Sequence, residues 1–129
     1  MKTFTLAGVL ALAFGGAALA DPIEGTWKTK TDDNGNYGYV QIKPCGAAFC
    51  GTLVKAFDAK GQIESPNIGK RIVWDMVAYE DGHYDDGKIW SPDRDKTYNS
   101  EMDLSGNSLK VYGCVIGICR DGGTWTRVN

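Results

Sequence analysis

Alternation of apolar and polar residues is the main pattern along this chain. Residues 37–43 show it most clearly, because Gly38, Val40 and Ile42 alternate with more polar side chains. A period of two residues is typical of a β-strand that buries one face. Leu109, Val111 and their neighbours repeat the pattern near the C-terminus.

Turn-forming clusters of Gly, Pro, Asn and Asp separate the alternating stretches and divide the chain into short strands. We interpret 62–70 as a loop, because it contains Pro66, Asn67 and Gly69, and 80–86 as a polar turn. The predicted strands cover 24–30, 37–43, 49–57, 71–79, 87–90 and 96–104, with two more inside 108–128.

About eight short strands without any helical periodicity predict an all-β protein. We expect a small antiparallel up-and-down β-barrel, whose interior is filled by side chains or holds one small ligand. Closure requires the first strand to pair with the last. Trp27 and Arg127 suit this junction, because a guanidinium packs favourably over an indole ring.

The N-terminal residues 1–20 have the features of a signal peptide. Lys2 precedes the apolar run Leu6–Phe14, and Ala18-Leu19-Ala20 fits a small-residue cleavage site. We therefore predict a single barrel domain over 21–129 in an exported protein, periplasmic or secreted. After cleavage we expect no transmembrane segment, because no second long apolar run follows.

The charge of the chain limits its partners. Of 14 basic and 16 acidic residues only Lys2 belongs to the predicted signal peptide, so the mature chain carries a net charge of −3. This balance lacks the basic footprint of a nucleic-acid-binding protein. It does not indicate the oligomeric state.

Four cysteines in an exported chain predict two disulfides, and four cysteines allow three pairings. We favour the two local bridges, Cys45 with Cys50 and Cys114 with Cys119. Each pair flanks its own turn. We interpret the four residues between Cys114 and Cys119 as a four-residue hairpin loop, in which Gly117 supplies a positive φ. A metal site is the competing interpretation, but zinc ligands are usually more closely spaced.

No motif in the sequence predicts a catalytic residue, a cofactor or a metal site. There is no nucleophile elbow, phosphate-binding loop, zinc-protease helix or dinucleotide fingerprint. The single histidine, His83, lies in an acidic stretch that a solvated turn explains. The Asp-rich stretches 32–36 and 93–97 lack the glycine and glutamate of an EF-hand calcium loop.

Asp75 stands out because it interrupts the apolar run 71–79. Alternation favours an outward side chain that bonds a neighbouring strand. If it points inward, it is the first candidate for a polar group that anchors a ligand. Trp74, Trp90 and Tyr98 are the aromatic residues that we add to this predicted ligand site.

Several short motifs resemble those of a known family. Gly25-x-Trp27 with Arg127 resembles the calycin barrels, which include the lipocalins. More specific motifs are CGAAFCGTLV at 45–54, GKR at 69–71, GKIWSP at 87–92, KTY at 96–98, LKVYGC at 109–114 and WTRV at 125–128. Together they resemble the bacterial domain-of-unknown-function family 2147 over essentially the whole mature chain. That resemblance implies a lipocalin-like barrel and no established reaction.

Three functions follow, in order of preference. The first is binding of a small apolar or amphipathic ligand, or of a cell-envelope component. The second is a protein–protein interaction module of the envelope with a filled core. The third is a cofactor-free enzyme that uses Asp75 or His83. An apolar cavity would favour the first, and a solid interior with an exposed aromatic patch would favour the second.

Overall fold

The computed structural model describes residues 20–129 and contains nine β-strands in that range. The predicted signal peptide lies outside the described residues, apart from Ala20. The strands are β1 (Gly25–Lys28), β2 (Tyr37–Cys45), β3 (Ala48–Asp58), β4 (Gly61–Ile63), β5 (Arg71–Ala78), β6 (His83–Ser91), β7 (Lys96–Ser105), β8 (Ser108–Val115) and β9 (Ile118–Arg127).

Eight of these strands form a closed antiparallel ring in the order β1-β2-β3-β5-β6-β7-β8-β9. The ring closes because β1 pairs with both β2 and β9, with Trp27 opposite Arg127. The predicted barrel and the predicted pairing of the first and last strands are therefore confirmed. Closure leaves no edge strand in the ring, and edge strands are the usual site of unwanted pairing.

The short strand β4 lies outside the ring and corrects one prediction. Residues 61–63 pair with the last part of β3, although we expected a loop over 62–70. Ile63 supplies the β-branched residue of this strand, which ends there, three residues before Pro66. The remainder of the segment, 64–70, is the expected loop.

The start of β6 corrects a second prediction. The polar stretch 83–86 belongs to a strand and not to a turn, because His83 pairs with Asp103 and Tyr84 pairs with Met102 on β7. Tyr84 is buried between partly exposed neighbours, which is the alternation of a strand with one wet face. The charged residues of the stretch 83–86 concealed this alternation in the sequence.

Two bulges bend β5 and β6. The pairing of β5 with β3 shifts near Asp75, and that of β6 with β7 shifts near Asp86. Both aspartates have positive φ, 58° and 64°. Aspartate tolerates this conformation better than most residues, and bulges increase the local bend that a barrel needs.

Both predicted disulfides are present, and one hairpin differs from the prediction. The turn between Cys114 and Cys119 has two residues and not four, because Val115 pairs with Ile118. The turn between Cys45 and Cys50 also has two residues, because Cys45 pairs with Ala48. Cys114 and Cys119 are directly opposite, with Cα atoms 4.0 Å apart. Cys45 bridges diagonally to Cys50 over 5.5 Å. Identical sequence spacing thus produces two different cross-strand positions.

The two disulfides lie at opposite ends of the barrel. Strand directions place the Cys45–Cys50 hairpin at the end that contains residues 21–24, which we call the closed end. The Cys114–Cys119 hairpin lies at the other end, which we call the mouth. Side chains fill the closed half of the barrel. Those most completely buried are Ile23, Trp27, Val40, Ile42, Val73, Met76, Ser100, Met102 and Leu109.

Candidate functional site

A cavity of about 850 Å³ occupies the mouth half of the barrel. None of the fully buried core side chains lines it, so the filled half forms its floor. Protein sites for small molecules span about 300 to 1,000 Å³, so the cavity has a suitable size. Its apolar and aromatic lining includes Leu53, Ala56, Phe57, Ile63, Ile72, Ile89, Trp90, Tyr98, Val111 and Trp125.

The inward faces of four strands supply the most buried part of this lining. Ala56 on β3, Ile72 on β5, Val111 on β8 and Trp125 on β9 are each no more than 9% exposed. They contribute apolar atoms. A ligand held there would gain affinity from removal of its own apolar surface from water.

The rim of the cavity carries charges of both signs. Its basic residues are Lys30, Arg94 and Arg120, and its acidic residues are Asp32, Asp93 and Asp121. An apolar interior below a charged rim matches a molecule with one apolar part and one polar part. Because three basic and three acidic residues lie there, the cavity favours neither a positive nor a negative charge on the polar part of the ligand.

Trp90 and Tyr98, two of the residues predicted for a ligand site, both line the cavity on either side of the β6–β7 turn. The Trp90 indole Nε1 donates a hydrogen bond to Asp95 Oδ1 over 2.9 Å, and the Lys70 Nζ lies 5.2 Å from the centroid of its ring. Arg94 Nη1 donates to the Tyr98 hydroxyl over 3.4 Å. The β6–β7 turn therefore orients both aromatic side chains beside the opening.

The structure places the other two predicted site residues away from the cavity. Asp75 is exposed and lies in the β5 bulge, and Trp74 is half-buried on the same strand. Neither lines the cavity. The outward orientation that alternation favoured for Asp75 is the one observed, so Asp75 is unsuited to anchor a ligand inside the barrel.

Trp125 and Ile72 are lining residues that sequence reasoning missed. Trp125 had a usable signal, because this apolar residue stands between the polar residues Thr124 and Thr126, which is the alternation of a strand with one buried face. Ile72 had none. Both Ile72 and its neighbour Val73 are buried, so alternation could not assign a face to either of them.

His83 lies at the closed end and does not line the cavity. Its Nδ1 is 2.8 Å from Asp103 Oδ1, and its Nε2 is 3.6 Å from Asp85 Oδ2. The hydrogen bond to Asp103, followed by the charges of both carboxylates, raises the pKa of His83 despite some opposing desolvation. These contacts make His83 a cross-strand ion-pair partner.

The closed end is sealed by Arg127. Its guanidinium carbon lies 4.4 Å from the centroid of the Trp27 ring. Nη1 donates to the Glu24 carbonyl over 3.0 Å, Nη2 donates to the Pro22 carbonyl, and Nε donates to Asn107 Oδ1 over 3.0 Å. This end therefore offers no entry for a ligand.

Gly25 explains part of the Gly-x-Trp motif. Its φ is +139°, and a Cβ atom there would lie 2.6 Å from the Asn129 carbonyl oxygen and 2.8 Å from Arg127 Nη1. Any larger residue would collide with the groups that seal the barrel. The glycine is thus required by the close approach of the C-terminal residues.

One group of potential metal ligands lies within the described range: Glu101 with Cys114 and Cys119. The two sulfur atoms are joined in a disulfide, so neither is a thiolate, the form of cysteine that binds zinc. This group does not fit a zinc ion while the bridge is intact. Across residues 20–129, no helix has the length and apolar character needed to cross a membrane.

Comparison with solved structures finds a similar fold in protein HP1028 from the human pathogen Helicobacter pylori, described as belonging to the lipocalin family. The TM-score is 0.67, the identity is 15%, and 83% of each chain is covered. At this identity the likeness shows the fold alone. No curated protein matches the chain.

A family model described as "Uncharacterized protein conserved in bacteria (DUF2147)" matches residues 25–127. The match begins at Gly25 and ends at Arg127, so it covers every strand of the barrel. Its extent agrees with the motifs that suggested the resemblance. The chain belongs to this DUF2147 family of bacterial proteins, and its fold is a lipocalin-like barrel.

Proposed function

We propose that the protein binds a small apolar or amphipathic molecule in the cavity at the mouth of its barrel. The observation that carries the proposal is the cavity itself, about 850 Å³ of space above a filled core. A barrel that served only as a rigid scaffold could have filled this half with side chains, as it fills the other half.

The lining supports an amphipathic ligand more than a sugar or an ion. Buried apolar residues form the inner wall, and Trp90 and Tyr98 offer aromatic faces near the opening. The charged groups are confined to the rim. A molecule with an apolar tail inside and a polar head at the mouth would satisfy both regions.

The interaction-module alternative with a filled core receives less support, because the mouth half is open space. An enzyme receives less still. Asp75 and His83, the two residues that such a mechanism would have used, lie outside the cavity, and nothing links them to a shared substrate position.

Export forms part of the same proposal. Two disulfides are typical of an oxidising compartment, and residues 1–20 have the pattern of a signal peptide. Protein isolated from the cell envelope should then have the mass of the chain beginning at Asp21. A mass that retains residues 1–20 would contradict cleavage.

Filling the cavity tests the binding proposal. Ala56→Trp would place a large side chain in the apolar interior, and Ala78→Trp is the matched control on an exposed position of β5. The probe is 1-anilinonaphthalene-8-sulfonate, displaced by dodecanoate and by dodecanol. We expect saturable binding to the unmodified protein and the control, and roughly tenfold weaker binding to Ala56→Trp.

Two results would overturn binding in the cavity. One is equal affinity of the probe for Ala56→Trp and Ala78→Trp. The other is the absence of saturable binding to the unmodified protein. Displacement by dodecanoate but not by dodecanol would show that an anionic head group is required.

A further inference from the structure

Exposed large apolar side chains concentrate around the mouth. In the described part of the chain seven such residues are at least 40% exposed, and five of them belong to the segments at the mouth. We call these five the apolar rim: Ile63, Ile68, Val115, Ile116 and Ile118. The other two, Tyr79 and Val128, lie at the closed end.

Neither burial nor the backbone conformation explains why position 116 carries an isoleucine. It is 93% exposed and has a φ of +50°, which is unfavourable for a β-branched residue. With Gly117 at φ +76° it forms a two-residue turn in which asparagine or aspartate normally precedes glycine. The Cys114–Cys119 disulfide ties the base of this turn. An apolar side chain is thus held in water at a site that favours a polar one.

The apolar rim has two parts on opposite sides of the opening. β8 is four strands away from β3 in either direction around the ring. The β8–β9 turn therefore faces the segment after β3 that carries Ile63 and Ile68. Val115 and Ile63 also line the cavity. Whatever contacts both parts must extend across the opening.

Charge at the mouth is close to balanced. The segments 29–36, 58–70, 91–96 and 115–121 contain six basic residues (Lys30, Lys60, Lys70, Arg94, Lys96 and Arg120). They contain seven acidic residues (Asp32, Asp33, Asp58, Glu64, Asp93, Asp95 and Asp121). Such a surface has no net attraction for an anionic partner. Binding of a partner at the mouth must therefore depend on the apolar side chains.

We propose that the protein docks with its mouth on a lipid bilayer, through shallow insertion of the apolar rim into a zwitterionic surface. Two separated apolar tips do not form the continuous face of roughly 800 Å² that a stable protein partner usually covers. A bilayer surface spans the opening and accepts exposed isoleucines at the boundary between head groups and acyl chains. This inference goes beyond ligand binding, because docking requires the rim and not an occupied cavity.

The test compares partitioning of three forms of the oxidised protein onto phosphatidylcholine vesicles, measured by flotation. The rim variant is Ile116→Asn with Ile118→Thr, which suits the turn and the strand and should not lower the melting temperature. The matched control is Tyr79→Asn with Val128→Thr at the closed end. We expect the rim variant to lose roughly tenfold in partitioning and the control to retain it.

Two further measurements complete the test: flotation at raised ionic strength and flotation of the cavity-filling variant. Partitioning should persist when the ionic strength is raised, and Ala56→Trp should float like the unmodified protein even if it binds no probe. Failure of the unmodified protein to float would overturn the docking, and so would equal floating of the rim variant. Floating restricted to anionic vesicles, or self-association abolished by the rim variant without any floating, would also overturn it.

Discussion

At the scale of single residues, Arg127 connects more of the molecule than any other side chain described above. Its guanidinium packs on Trp27, and its N–H groups reach the carbonyls of Glu24 and Pro22 and the side chain of Asn107. The planar fork of arginine serves several acceptors at once. One residue thereby holds the N-terminal segment, the β7–β8 turn and the core indole together.

Arg127→Lys should destabilise the fold although it preserves the charge. The ammonium cannot reproduce the fork, so we expect the free energy of unfolding to fall by about 2 kcal/mol, and more for Arg127→Ala. Urea denaturation measures the change. Arg120→Lys at the exposed mouth is the control and should change it by less than about 0.5 kcal/mol. Equal effects at both positions would contradict this role of Arg127.

At the scale of elements, the pairing of β6 with β7 contains a pH-dependent contact. His83 lies opposite Asp103, and its pKa is raised chiefly by that hydrogen bond. A histidine pKa that is higher in the folded state than in the unfolded state favours folding when the ring is protonated. The stabilisation is fully present below the unfolded pKa and is lost as the pH rises through the folded pKa.

His83→Asn should therefore reduce stability more in weak acid than in base. We expect a clear loss of melting temperature near about pH 5.5, where the carboxylates remain ionised, and little loss near about pH 9. Asp103→Asn removes the partner and should show the same pH dependence. A loss of equal size at both pH values for His83→Asn would disprove a role for the ion pair.

At the scale of the whole molecule, the barrel divides into a filled half and an open half. Trp27, Met76, Met102 and Leu109 close-pack below, whereas Ile89 packs against this core and also borders the cavity above it. Stability therefore depends mainly on the closed half. The open half leaves apolar surface without protein contacts, and that surface is available to a ligand.

Truncation of an apolar side chain to alanine should lower the free energy of unfolding more in the filled half than in the open half. Leu109→Ala opens a new void in a fully packed region, so we expect a loss of about 3 kcal/mol. Ile89→Ala enlarges space that already exists and should cost less than about half of that. Chemical denaturation provides both values. If Ile89→Ala proved as costly as Leu109→Ala, the barrel would not be divided in this way.

Local patterns predicted most of the strands, the pairing of the first strand with the last and the disulfide partners. Alternation of Gly38, Val40 and Ile42 named the buried face of β2, and the spacing of Cys114 and Cys119 named a hairpin bridge. Charge concealed the start of β6, because His83 and its acidic neighbours lie on the wet face of a strand. Composition alone does not distinguish such a face from a turn.

The lining of the cavity was only partly predictable. Trp90 and Tyr98 line it, whereas Trp74 and Asp75 do not. The bulge at Asp75 shifts the pairing of β5 with β3. Alternation favoured the outward orientation of Asp75 that the structure shows. The extra residue of the bulge also turns Trp74 away from the cavity, and no local pattern announces such a shift.

By itself the sequence determined what depends on near neighbours: strand periodicity, most turn positions and the short disulfide loops. The pair of Trp27 and Arg127 followed instead from the requirement that the first and last strands meet. Only the tertiary structure decided where the cavity lies, which side chains line it, and that the exposed isoleucines gather around its opening. Those properties depend on ring order, bulges and strand direction. They arise from residues far apart in the chain, because empty space inside a barrel belongs to no single segment.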